Sequence, residues 1–383
     1  MIRLFYAEKD TTLYEKYPEQ NTGIDQILEL TKIASGSKLR GIIQGNTYNS
    51  RFLIDFGSEI TKIQTAVTNG EIPAFDFNHP ASASAYLRLY AANATDLLQS
   101  YDINAYPISE SWTNGGGNYS DSPIQKYGAS WYYRTSDDAA DYWLTGSADS
   151  VGQMGATETT EGGGTWLTGS SNLYEATQSF QNESPDLRIN VTRIISASVA
   201  EMIPNHGFIV KRPTADEISG EVLGKLQFFG RESHTIYVPR LEVCWDDINN
   251  AGGTDTITAD TYVPYIKNIK NEYRTNEIAK FRIGVRPDYP TKTYSTASFY
   301  MTKERLPRSS SYSIYDSVTN DVIIQDETEW SNSTTKISND SDGSYFKLRM
   351  DSFMPERYYK IQLKCVRTND TQTFDDFYFK VVK

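Results

Sequence analysis

The segment Leu226–Asp247, LQFFGRESHTIYVPRLEVCWDD, constrains the fold more than any other. Leu241, Val243 and Trp245 alternate with Glu242, Cys244 and Asp246. A period of two is that of a strand with one buried face, whereas a helix repeats every three to four residues. Upstream, Leu226, Phe228 and Phe229 form an apolar run that stops at Gly230. His234 to Val238 is β-branched and aromatic until Pro239 interrupts it, which reads as a further strand. Asp246, Asp247 and the Asn-Asn-Ala-Gly-Gly that follows are turn residues. This predicts the closing strand of a large β domain, with a second domain beyond it.

The same grammar runs through most of the chain. SRFLIDF (Ser50–Phe56) places Phe52, Ile54 and Phe56 on one face, and Ala85–Ala92 sets Tyr86, Arg88 and Tyr90 opposite Leu87 and Leu89. Leu187, Ile189 and Val191 alternate before a short helix expected through Ile194–Glu201, and GFIVKR (Gly207–Arg212) reads as the next strand. One helical signal stands out near the start: Ile24, Ile27 and Leu28 follow Thr22 as a candidate cap, predicting a short helix over 22–33. Beyond the polar stretch 248–260, roughly eight short alternating runs fit an immunoglobulin-like sandwich. There, Met354-Pro355 leads into Tyr358 and Tyr359, a corner at which a tyrosine hydroxyl can bond back to the backbone. The expected class is all-β, with 1–36 an N-terminal arm and short helix, 37–247 a jelly-roll β-sandwich, 248–260 a linker and 261–383 the Ig-like sandwich.

Charge and rare residues narrow the function. With 37 Lys and Arg against 49 Asp and Glu the net charge is −12, a poor surface for phosphate, so no nucleic-acid partner is expected. No apolar run is long enough for a membrane helix, and MIRLFYAEKD lacks a signal-peptide core, so synthesis in a cytoplasm without membrane insertion is expected. Three scattered histidines give no zinc spacing, and Cys244 and Cys365 read as small strand residues. The triplets at Gly115 and Gly162 do not join a strand to a helix beside a basic residue, and Gly-x-Ser-x-Gly is absent. No catalytic residue, cofactor or enzyme activity is therefore assigned.

Aromatic residues carry what signal there is. The chain has 27 Tyr, 16 Phe and 6 Trp, a composition found in β-sandwiches and in contact surfaces. Phe5, Tyr6, Leu13, Tyr14 and Tyr17 are spread among charges, which suggests an arm laid on a neighbouring chain; an edge strand is the alternative. Trp112, Trp131, Trp143 and Trp166 lie in Gly-rich stretches, either as a platform for glycan or partner contact or as a roof over the core. Asp137, Asp138, Asp141 and Asp186 are the carboxylates considered for a structural calcium, without EF-hand spacing to support it.

Taken together, SRFLIDF, the run AYLRLYAANATDLLQSYDINAYPISESWTNGGGNYSD, DLRINVTRII, IPNHGFIVKR and LGKLQFFGRESHTIYVPRLEVCWDD resemble DNRLRE-type β-sandwich modules, which are related to carbohydrate-binding modules. The resemblance spans roughly Ser50 to Asp247 and carries over no site residues. Joined to TTLYEKYPEQNTGIDQILEL and the Ig-like tail, the whole is similar to structural proteins of tailed-bacteriophage virions, of the neck or tail type. That resemblance implies a non-enzymatic part of the neck, tail or baseplate region. It would be located in the virion and assembled in several copies, as a homo-oligomeric ring or other multi-copy assembly, with other virion proteins as partners. The alternative is a carbohydrate-binding or adhesin module that contacts host surface glycans.

Overall fold

The computed structural model describes residues 1–34, 38–39, 42–43, 47–75, 82–136, 141–143, 153–154, 162–181, 185–250, 256–259, 261–289, 304–326, 334–366 and 370–383. The chain is all-β and divides into two compact units. The larger comprises Phe5–Phe77 and Ser84–Glu242, and the other Met1–Leu4, Asn78–Ala83 and Val243–Lys383. The division falls within the closing strand rather than in the polar stretch 248–260.

The strands run in order β1 (Ile2–Tyr6), β2 (Lys9–Tyr14), β3 (Ile27–Ala34), β4 (Lys38–Leu39), β5 (Ile42–Ile43) and β6 (Thr47–Asp55). Helix α1 (Ser58–Thr68) is followed by β7 (Ser84–Leu89), β8 (Ala91–Thr95), β9 (Ser100–Pro107), β10 (Gln153–Met154), β11 (Trp166–Leu167), β12 (Ala176–Gln181) and β13 (Leu187–Asn190). Then come α2 (Thr192–Val199), β14 (Phe208–Lys211), α3 (Thr214–Ile218), β15 (Gly224–Phe229) and β16 (Arg240–Cys244).

One sheet has the order β1-β16-β7-β13, and a larger one the order β12-β9-β14-β6-β3-β15-β8, with β2 also paired to β6. Strand β7 keeps the expected alternation: Ala85, Leu87 and Leu89 are wholly buried while Tyr86 and Arg88 are half-buried. The alternation of Leu187 and Ile189 is also present in β13, and α2 follows it with Ile194 and Ile195 buried. Strand β16 is buried on both faces, because its polar side carries a network rather than solvent. Arg240 donates to Glu242 and to the Tyr90 hydroxyl at 2.7 Å, and Arg188 donates to Glu242 at 2.9 Å.

Three sequence expectations change. The helix expected over 22–33 is strand β3, paired with β15 from Ile27 to Lys32. The N-terminal arm is instead strands β1 and β2, with Phe5, Leu13 and Tyr14 buried, Tyr6 half-buried and only Tyr17 exposed. Its apolar residues are held because β2 pairs residue for residue with β6, Leu13 facing Arg51. The strand expected at His234–Val238 is a turn, in which His234 takes a left-handed conformation. Helix α1 was not foreseen, although Ile60, Ile63 and Ala66 recur at helical spacing and form its buried stripe.

In the second unit the strands continue as β17 (Tyr262–Ile266), β18 (Glu272–Arg274), β19 (Ile278–Pro287), β20 (Ser311–Asp316), β21 (Val322–Ile324), β22 (Ser338–Asp340), β23 (Gly343–Arg349), β24 (Arg357–Val366) and β25 (Thr371–Val382). They form sheets of order β17-β19-β23-β22 and β18-β25-β24-β20-β21. The sheets meet face to face through aromatic rings. Tyr312 of one stacks on Phe346 of the other with centroids 4.3 Å apart, and Phe281 lies 5.8 Å from Phe379. Cys244 and Cys365 are buried strand residues.

The expected tyrosine corner is present: the Tyr359 hydroxyl donates to the Met354 carbonyl at 2.9 Å. Tyr359→Phe removes that bond and keeps the buried ring, so a loss of about 1 kcal/mol is expected in urea unfolding. An unchanged midpoint would show that the corner owes nothing to the hydroxyl.

Candidate functional site

The site is built from the β2–β3 connection and the glycine-rich loops of the larger unit. Its anchor is Asn21, which is fully buried. Its side-chain amide donates to the carbonyls of Asn114 and Ala129, each at 2.8 Å, and its oxygen accepts the N–H of Gly117 at 2.9 Å and of Gly23 at 3.2 Å. One side chain thus holds together loop segments about a hundred positions away in sequence. The glycines are the counterpart of this grip. Gly115 has φ +78°, and a Cβ there would stand 2.3 Å from the Asn21 oxygen. In the first glycine triplet, Gly115 and Gly117 pack directly on Asn21.

All four loop tryptophans are buried: Trp112, Trp131, Trp143 and Trp166 join Leu13, Leu53, Tyr106 and Ile209 in one cluster. The Trp112 indole N–H donates to the His206 carbonyl and that of Trp143 to the Ser130 carbonyl, both at 2.9 Å. They roof the core, the second of the two arrangements the sequence left open, and none of the four is exposed as a platform. Large indoles bury the most area when loops close over them, and the N–H groups of Trp112 and Trp143 have each found a carbonyl.

Beneath the roof lies a buried ion cluster. Arg51 grips Glu217 with two bonds of 3.0 and 2.8 Å, and Lys211 Nζ lies 2.9 Å from the same carboxylate. Arg51 also donates to the Gly163 carbonyl at 2.8 Å, and its guanidinium sits 5.0 Å from the Trp131 ring and 5.2 Å from that of Trp166. At Gly163, φ is +89° and a Cβ would reach 2.6 Å from the Arg51 guanidinium, so the second triplet also serves packing. Burial alone would raise the Glu217 carboxyl, but Arg51 and Lys211 outweigh it and hold it below the ordinary range.

What remains outside is tyrosine. Lys16, Tyr17, Pro18, Glu19, Gln20, Ile124 and Tyr132 line an open groove of about 310 Å³. The Tyr132 N–H donates to the Pro18 carbonyl at 2.9 Å, and Glu19 pairs with Lys126 at 2.9 Å. The Tyr17 ring meets Tyr119 edge-on with centroids 5.8 Å apart, and Tyr132 lies 6.2 Å from Tyr142. Around the groove Tyr127 is 64% exposed, Tyr119 48% and Tyr142 44%. Next to it the Asp25 carboxyl is pushed up to about 6, chiefly by burial, against the Tyr119 N–H that it accepts at 3.1 Å.

Of the carboxylates considered for calcium, Asp137 and Asp138 lie outside the described residues. Asp141 accepts the hydroxyls of Thr135 and Ser136, while Asp186 accepts the Ala91 N–H at 2.8 Å and faces Arg88. Each has its own partners. Among the described residues no three His, Cys, Asp or Glu gather as a metal site, and no helix is long and apolar enough to cross a membrane. No family model, curated protein or solved structure matches the chain.

Sequence reasoning missed the groove because its walls come from residues 16–20, 124 and 132, which no local motif joins. The available signal was the unusual polar string Gln20-Asn21-Thr22-Gly23 facing a glycine triplet.

Proposed function

We propose that the protein is a non-enzymatic structural component of a tailed-phage virion, in the neck, tail or baseplate region. It works in several copies through protein–protein contacts. In this reading the larger unit is a jelly roll of the DNRLRE type and the second an Ig-like sandwich. The phage assignment rests on the sequence resemblance. The observation that supports a contact role is the set of exposed tyrosines, Tyr17, Tyr119, Tyr127 and Tyr142, on or beside loops fastened by Asn21. Tyrosine is enriched where proteins meet, and a loop fixed beforehand loses little freedom on association.

The test pairs light scattering on the purified chain with mass spectrometry of intact particles. A fixed copy number per particle is expected, with a ring-sized oligomer or an assembly-competent monomer in solution. A stable monomer absent from particles would overturn the reading.

A further inference from the structure

We infer that the solvent face of the sheet β17-β19-β23-β22 docks on the tyrosine-bearing loops of the larger unit in a second copy of this chain. This contact rests on the multi-copy reading above and gives it two surfaces.

Strand register builds the cationic face. Lys280 stands directly opposite Lys347 and Arg282 opposite Tyr345, while Arg286 faces Val263 of β17. The alternate residues Ala279, Phe281 and Ile283 are buried, so these cations point away from the core. Lys267 continues the row beside Arg282, whose carbonyl accepts its N–H at 2.8 Å. Like charges directly opposite on a sheet cost stability. Asp340 relieves part of that cost by taking Lys280 at 3.1 Å and Arg282 at 2.5 Å. Lys267, Arg286 and Lys347 are exposed, and none of them pairs with a described acid. The face is also held in place. Lys280 and Arg282 cover the Tyr345 ring at 3.7 and 5.2 Å from its centroid, and the Tyr265 ring lies across Gly284, where a Cβ would stand 2.4 Å from it.

The partner follows from where the opposite charge lies. The second unit has as many basic as acidic residues, so the whole net charge of −12 belongs to the larger unit. Within that unit two carboxylates flank the exposed tyrosines. Asp25 accepts the Tyr119 N–H at 3.1 Å and Asp121 the Asn118 N–H at 2.8 Å, and neither meets a described Lys or Arg. Burial, with the charges of Glu29 and Asp121 beside it, pushes the Asp25 carboxyl up, and an arriving cation relieves that repulsion. Cations also seat on tyrosine rings. A nucleic acid could meet the same face, but the negative larger unit repels a polyanion. A contact between two different surfaces is heterologous, the kind that closes rings.

The experiment uses the full chain and sedimentation velocity over a range of concentrations. The wild type is expected to self-associate, and to do so about tenfold more weakly when salt rises from about 0.05 to about 0.5 M. Arg286→Glu with Lys347→Glu should weaken association by about tenfold or more. Neither side chain has an ion pair to lose, and Lys347→Glu removes a like-charge pair, so the fold is little threatened. Asp25→Asn with Asp121→Asn keeps both acceptor oxygens and should weaken association likewise. Mixed together, the two double variants should form one-to-one pairs and nothing larger, because each retains the surface the other lacks. A wild type that stays monomeric, association untouched by the charge reversals, a mixture that fails to pair, or saturable binding of a single-stranded oligonucleotide to this face of a monomer would each overturn the proposal. Monomers present at a fixed copy number in particles would sink this contact alone. Self-associating chains absent from particles would sink the virion role alone.

Discussion

Glu217→Gln is expected to destabilise the larger unit by about 3–5 kcal/mol, the cost of leaving buried charge without its partner. The carboxylate is the common anion of Arg51 and Lys211, both of which are buried. An amide in its place keeps the shape and leaves two cations facing each other under the tryptophan roof. Native proteins have only about 5–15 kcal/mol in hand, so the variant should lie close to the limit of folding. Burial pulls Lys211 below its ordinary range in the wild type, with Glu217 opposing that pull. Without Glu217 the lysine should give up its proton more readily, and the variant should therefore recover part of its loss as pH rises from 7 to 9. Glu217→Gln with Lys211→Met should recover part of it at every pH. Urea unfolding followed by tryptophan fluorescence reads these changes, because Trp131 and Trp166 flank Arg51. A variant as stable as the wild type at pH 7 would show that the cluster contributes no net stability.

The cluster also shows where reading the sequence stops. Alternation located β7, β13 and β16, because those strands have one plainly apolar face, and the Met354-Pro355 corner announced the bond of Tyr359. It failed at β3. Leu28 and Leu30 do alternate there, but the next inward position is Lys32, which breaks the apolar pattern. Lys32 can be buried because its ammonium is taken by the carbonyls of Asp216, Glu217 and Ser219. Those partners lie far along the chain, and no local periodicity encodes them. The same distance hides Asn21 and its loops, Gln20 in the groove, and Arg51 with Glu217. The sequence exposes apolar faces, which are periodic, while buried polar contacts are specific and long-range.

Asp10→Asn should stabilise the protein at pH 8 by about 2–4 kcal/mol and give no gain at pH 4. Asp10 lies in β2 and is 1% exposed. Its carboxylate accepts the Arg231 N–H at 2.6 Å, and Glu232 adds a repelling charge beside it. Burial pushes its carboxyl up to about 7, with the Arg231 N–H working against that rise. A carboxyl whose folded value lies above its unfolded one binds its proton more tightly in the fold. Its contribution to stability is complete below the unfolded value, near 4, and is lost as pH rises through about 7. Asparagine has no charge to desolvate and keeps an oxygen for the Arg231 N–H, so the penalty at high pH disappears. Urea midpoints from pH 4 to 9 separate the two cases: the wild type should decline through neutrality relative to the variant, and parallel profiles would sink the assignment. Glu217, Glu242 and Asp340 act in the opposite sense. Their depressed carboxyls stabilise the fold above the unfolded range and lose that effect in acid, which sets the lower limit of the stable window as Asp10 sets the upper.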